Sequence, residues 1–229
     1  MKQIFILLAL LCSAAAARAD LVLQQQIATG NYKGAVTMKV KGAKVRLDLY
    51  AGQPQAISTI LDLTTGDTTT LMHNQKMFVK VSGAQTRQAK SSGTISTASK
   101  SPIPRPTGKS EKVGGYDTEI YTWYNARGIT GTAWVAKNYP DYPRIRTDLA
   151  VLDKSAAEFN NNTDPELSIL PGMVVKSLVS GSGQSITATL ISAKEEMVDA
   201  SLFQTPANYR ELPRPKPFLN PPPTKTPGK

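Results

Sequence analysis

The chain is 229 residues long, with 27 Lys and Arg against 17 Asp and Glu, a formal net charge of +10, one cysteine and one histidine. Those counts exclude a disulfide framework and zinc sites built from several Cys and His ligands, and a Cys/His nucleophilic pair would need Cys12, which falls in the segment read below as a signal peptide. At this length the expectation is one domain with a substantial interior.

Residues 1–19 read as a signal peptide. Lys2 supplies the positive start, Ile4 to Leu11 the apolar run, and Ala17-Arg18-Ala19 a small-x-small cleavage site before Asp20. The run is too short to be a permanent membrane span. Cys12 lies near its end, but Leu11 is bulky where lipoprotein processing requires a small residue, so cleavage near Asp20 is the reading. Export to the periplasm follows as the expected location. No later apolar run approaches membrane-spanning length.

Asp20 to Asn31 reads as a lead-in of a helical turn or two, ended by Gly30-Asn31. From there the period changes to two. Val36, Met38 and Val40 alternate with polar residues, Lys41-Gly42-Ala43 turns the chain, and Val45, Leu47 and Leu49 continue the pattern. Ala56 to Leu63, Thr68 to Met72 and Met77 to Val81 extend this into five strands of an up-and-down antiparallel sheet.

Ser82 to Ser110 breaks the pattern. It is rich in Ser, Thr, Gly and Lys, holds Pro102, Pro104 and Pro106, and has only positive charges, from Arg87 to Lys109. It reads as a long, flexible basic loop, either a tolerated insertion or an arm over a binding site. Val113 to Lys137 then forms a hairpin turning at Asn125 to Gly128, which reads as the centre of the sheet. Both tryptophans, Trp123 and Trp134, lie in it, as core or as ligand platforms. Ile145, Leu149, Leu152 and Phe159 share one helical face, predicting a helix from about residue 144 to 160. Pro171 to Ala193 is a further hairpin with its turn at Gly181-Ser182-Gly183, and Val198 to Phe203 a short turn plugging one end of the sheet. Residues 213–229 hold seven prolines and four cations and no acid, so this tail is expected to be extended and disordered.

A search for chemistry returns little. His73 stands alone, and no phosphate-cradling glycine loop joins a strand to a helix. Asp117 with Glu119, and Glu195 with Glu196, are carboxylate pairs that could serve acid–base work but fit the wet face of strands equally well. A Ser–Lys mechanism stays open in principle. The expectation is a non-enzymatic protein with no cofactor and no metal.

Three stretches carry a resemblance: Val113-Gly114-Gly115-Tyr116, Thr132 to Lys137, and Asp199 to Pro206 followed by Tyr209. In this order they resemble a family of uncharacterised exported bacterial proteins related to the outer-membrane lipoprotein-sorting carriers, over about residues 30 to 210. The resemblance implies a curved antiparallel sheet wrapped partly around a helix, with an apolar cavity that holds acyl chains. The basic loop and proline tail are additions to that pattern, and no residue role carries over.

The combined expectation is a mainly β (α+β) fold, a half-barrel of about nine strands on one or two helices. It comprises one domain over 20–212 that carries the loop at 82–110. Met38, Leu47, Leu61, Met77 and Trp134 are the candidate cavity positions. The expected ligand is hydrophobic or lipid, with peripheral membrane contact and no nucleic acid. The alternative is an envelope interaction module, whose basic loop and tail bind acidic surface polymers or a partner protein.

Overall fold

The structure is a computed structural model that describes residues 20–30, 32–50, 53, 56–91, 102–125, 128–159, 165 and 167–212. The signal-peptide reading of 1–19 and the tail at 213–229 lie outside the described residues.

Two meanders make one open, curved sheet of twelve strands among the described residues. The first runs outward through β1 (Asp20–Thr29), β2 (Tyr32–Lys41), β3 (Lys44–Leu49), β4 (Ile57–Asp62), β5 (Thr68–Met72) and β6 (Met77–Val81). Helix α1 (Gly83–Ser91) follows. The chain next appears at the opposite edge as β7 (Arg105–Val113) and returns through β8 (Tyr116–Tyr124), β9 (Thr130–Ala136), helix α2 (Tyr142–Phe159), β10 (Met173–Gly181) and β11 (Gln184–Glu196). Strand β11 pairs with β1, so the first and last long strands meet at the middle of the sheet. The chain then crosses to the β6 edge through a 3-10 turn at Ala200–Phe203 and adds β12 (Arg210–Glu211), whose pairing with β6 is the parallel one.

Alternation divides β1 to β6 into two faces. On one, Leu21, Leu23, Val40 and Val45 join a core with Tyr142 and Ile145 of α2 and with Trp134, Ala136, Met173 and Val175 of the second meander. On the other, Val22, Ile60 and Leu71 are sealed by Val198 and Phe203 of the crossing segment. A third cluster, Trp123, Ala133, Val135 and Leu170, belongs to β8 and β9 and the residues before β10. Gly131 is required there, because a Cβ on it would lie 2.1 Å from the Trp123 ring. Tyr142, Ile145, Leu149 and Leu152 are spaced along one side of α2, which is what lets an 18-residue helix lie on the sheet.

Five sequence expectations need correction. Asp20–Thr29 is a central strand and not a helical lead-in. Leu21, Val22 and Leu23 are all at most 3% exposed, since both faces are covered, and a strand buried on both sides loses its alternation. The hairpin of β8 and β9 lies toward one edge, because β1 and β11 take the middle. The stretch read as a loop at 82–110 contributes α1 at one end and the edge strand β7 at the other. The sheet therefore has twelve strands instead of nine, through β1, β7 and β12. Phe203 covers a face of the sheet and does not plug its end.

Candidate functional site

A cavity of about 240 Å³ lies between α2 and the sheet. Its wall is apolar over most of its extent: Leu23 from β1, Met38 from β2, Leu149 and Leu152 from α2, and Met173 and Val174 from β10. Gly172 lets the chain pass closely at one side, since a Cβ there would stand 2.4 Å from the Ala136 carbonyl oxygen. Gln25 and Asp153 are the polar side chains of the wall that carry an amide and a carboxylate. The backbone N–H of Ser168 donates to Asp153 Oδ2 at 2.7 Å. The Tyr142 hydroxyl donates to the Leu170 carbonyl at 3.1 Å, and burial raises its pKa above the ordinary value.

Beyond Met38 the same face of the sheet continues outward. Register pairs Met38 with Leu47, Leu47 with Thr59 and Thr59 with Thr70, while a parallel row runs Leu49–Ile57–Met72–Met77. Met38, Leu47, Leu61, Met72 and Met77 are each partly exposed, in contrast to Val40 and Val45 beside them, which are buried. The result is an apolar strip that leads away from the cavity across β2 to β6.

The five positions chosen from the sequence fall as follows. Met38 lines the cavity. Leu47, Leu61 and Met77 share its sheet face without lining it. Trp134 is 8% exposed and belongs to the core; its Nε1–H donates to Glu111 Oε2 at 2.7 Å, with Lys176 Nζ 4.2 Å from the ring centroid. Leu23 escapes the sequence reading, because β1 reads there as a helical turn. Leu149, Leu152 and Met173 escape it too: their helical and strand spacing is visible but gives no reason to choose them over other core positions.

The opposite face of β3 to β5 holds a polar cluster that sequence reasoning did not assemble. Arg46 Nε and Lys39 Nζ bond Asp48 at 2.6 and 2.5 Å, and Arg46 Nη1 donates to the Leu202 carbonyl at 2.6 Å. Ser58 Oγ lies 2.6 Å from Asp48 Oδ1, 2.6 Å from His73 Nε2 and 2.7 Å from Arg46 Nη2, while His73 Nδ1 is 2.7 Å from the Tyr209 hydroxyl. Proton counting assigns these bonds. A serine has one proton, and the carboxylate, charged and fed by two cations, is the stronger acceptor, so Ser58 donates to Asp48. His73 then carries its proton on Nε2 and donates to Ser58, and Tyr209 donates to Nδ1. This leaves every partner satisfied and Ser58, 1% exposed, without a base to activate it.

The electrostatics agree with a neutral imidazole. Burial and the Arg46 charge push the His73 pKa below 6.5 against an opposing pull from Asp48. Burial raises the Asp48 pKa, but hydrogen bonds from Lys39, Ser58 and Arg46 outweigh it and hold the carboxyl below its ordinary value. A depression of about 400 Å³ beside the cluster is lined by Arg46, Asp48, Gln53, Ser58 and His73 among others.

The two carboxylate pairs are dispersed. Glu119 binds Lys137 at 2.6 Å, Asp117 faces Lys112 at 3.8 Å, Glu195 bonds Arg144, and Glu196 binds Lys194 at 2.6 Å. No group of three or more His, Cys, Asp or Glu suited to a metal ion occurs among the described residues. Nor, among them, is any helix long and apolar enough to cross a membrane.

The chain belongs to the family described as a domain of unknown function, DUF4412, whose model matches residues 21–209. Comparison with curated proteins found no match. Among solved structures, an uncharacterized conserved protein from Thermus thermophilus shares the fold, with a TM-score of 0.53 at 7% identity over 86% of this chain and 91% of that one. The lipoprotein LppX of Mycobacterium tuberculosis aligns with a TM-score of 0.39 at 10% identity, over 78% of this chain and 88% of its own. A LolA superfamily protein from Nitrosomonas europaea aligns with a TM-score of 0.33 at 9% identity, over 83% and 91%.

Proposed function

We propose that this member of the DUF4412 family is an exported, non-enzymatic carrier that shelters an acyl chain from water. The observation that supports this reading most is the cavity under α2 together with the strip that leaves it. The cavity alone, about 240 Å³, is smaller than the roughly 300–1,000 Å³ usual for a drug-sized ligand. It suits the end of a flexible chain, and the Met- and Leu-bearing strip from Met38 to Met77 offers the remainder an apolar track. Methionine adapts to irregular apolar surfaces, which fits a guest without fixed shape. Each methylene withdrawn from water adds about 0.8 kcal/mol, so even a partly covered chain gains usefully.

The test is a titration of the purified protein with the neutral dye N-phenyl-1-naphthylamine, followed by competition with dodecyl-chain amphiphiles. Saturable fluorescence gain, reversed by the competitors, is expected. A linear, unsaturable response would remove the carrier reading.

The envelope-module alternative rests on Arg105, Lys109 and Lys112, which stand exposed on the edge strand β7. Deleting 82–110 would remove two thirds of that strand and most of β8's edge partner. Changing the three cations to Gln is therefore the cleaner probe, and unchanged envelope association would set this alternative aside.

A further inference from the structure

We infer that Lys176 receives the head of the guest, and that this head is an anionic oxygen group such as a carboxylate. The inference rests on the carrier reading and names the head group that the carrier takes. Among the described residues four cations are half-buried, and three of them hold a carboxylate: Lys39 and Arg46 share Asp48, and Lys41 binds Asp20. Lys176 is the fourth. Its Nζ lies 4.2 Å from the centroid of the Trp134 ring, and it forms no ion pair among the described residues.

Register decides which way Lys176 points. Cross-strand partners share a face of a sheet, and residues two apart on one strand share it too. Met173 stands opposite Ala136 and Lys176 opposite Trp134, so both are on one face although three residues apart. The shift in register between Val174 and Lys176 allows this; in an unbroken strand Lys176 would point away from the side that Met173 faces. Met173 lines the cavity, and it and Trp134 belong to the same core as Leu23. Lys176 therefore stands about 10 Å along β10 from the cavity wall.

A half-buried ammonium has lost part of its hydration, and the Trp134 ring returns a share of that through a cation–π contact. The ammonium carries three N–H donors and the ring meets one side of it, so donors remain for water or for an oxygen anion. The flanking strands oppose Lys176 with Trp134 and Thr189, neither of them an acid. Glu111 reaches the edge of Trp134, where its Oε2 accepts the Nε1–H at 2.7 Å without pairing with Lys176. An anionic head gains a charge-assisted hydrogen bond there, while its chain runs past Met173 into the cavity. A formal charge of +10 draws anions to the whole molecule, so one cation has to be separated from the rest.

The experiment is displacement of N-phenyl-1-naphthylamine from the full protein at pH 7 by dodecanoate and dodecanol, each below its aggregation concentration. A site without a cation favours the alcohol, because a carboxylate costs more to take from water. Here dodecanoate is expected to displace the dye at concentrations about tenfold lower than dodecanol. Lys176→Met, which keeps an unbranched stem over the ring, is expected to bring the two level or reverse them. Lys44→Met removes the same charge from the exposed start of β3 and is expected to leave the ratio as it was. Equal displacement by acid and alcohol in the unaltered protein, or an equal change in the two variants, would overturn the inference and leave the carrier reading standing. Displacement by neither would overturn both. If Lys176→Met does not fold, Lys176→Gln takes its place with the same outcomes.

Discussion

The two faces of strands β2 to β6 are built from the same alternating residues and end in opposite states. Under the crossing segment, Val22, Ile60, Leu71, Val198 and Phe203 are each at most 7% exposed, and the polar groups between them close into one hydrogen-bonded cluster. On the face that carries α2, the helix reaches Val40 and Val45 but leaves Leu47, Leu61, Met72 and Met77 partly open. An apolar face that a protein fully covers is core. One that it covers at one end, beside a cavity, has room for something else. The difference comes from the cover: a chain segment tied down by Arg46, His73 and β12 on one side, and helix α2, with α1 in contact with it, on the other.

Mutations that remove side chains from the sealed face should cost most. Phe203→Ala empties the centre of that cluster and is expected to lower unfolding stability by about 3–5 kcal/mol, measured by urea titration. A loss under about 1 kcal/mol would mean that the crossing segment is not a fixed cover. Asp48→Asn comes next, at about 2–3 kcal/mol. It leaves Lys39 and Arg46 facing each other without the charge that both bind.

Legibility divides along the same line. In β3 to β6 the period of two is plain, and in β8 and β9, where Ala133 to Ala136 are buried on both faces, the β-branched and aromatic residues between turns mark the strands; all of them lie where the sequence puts them. The helix at Tyr142–Phe159 is equally visible, because Ile145, Leu149 and Leu152 keep its period. β1 fails because Leu21, Val22 and Leu23 are covered on both sides and show no alternation, and Gln24 to Gln26, which suit a helix, hide the rest of its pattern. β7 fails because it is an edge: of its nine residues only Val113 is buried, so its sequence is that of a loop. The cluster around Ser58 is illegible, since Arg46, Asp48, Ser58, His73 and Tyr209 meet through pairing across three strands and a segment more than a hundred residues later. The cavity is only half legible. Met38 can be placed on the right face, but its partners on α2 and β10 depend on how the second meander folds back.

The clasp between His73 and Tyr209 gives a smaller, pH-dependent effect. The folded protein holds the His73 pKa below 6.5, so the unfolded chain binds the extra proton more readily. Stability from this group is complete above pH 6.5 and is lost as the pH falls through the window below it. Asp48, whose pKa is also held down, adds a second loss of the same sign beginning below pH 3.8. Tyr209→Phe removes the bond to Nδ1 and is expected to cost about 1 kcal/mol at pH 7.5. Urea midpoints taken between pH 7.5 and 5 should fall for the unaltered protein and hold nearly level for His73→Gln. Parallel slopes in the two would assign the pH dependence elsewhere.

On the open face the effect on stability should nearly vanish, and it is binding that should move. Met77→Ala removes a side chain that is already partly exposed, so its stability cost is expected to stay within about 0.5 kcal/mol. Met77 lies four strands from Met38, and strands stand about 4.8 Å apart, which places it roughly 19 Å from the cavity wall. A short chain seated in the cavity cannot reach that far, whereas a long one following the strip can. Dodecylamine should therefore bind Met77→Ala and the unaltered protein alike, while octadecylamine loses affinity by about fourfold, the share of one methylene left uncovered. A uniform loss for both lengths would point to a disturbed fold. No loss for either would confine the guest to the space under α2 and make the strip beyond Met38 ordinary exposed sheet.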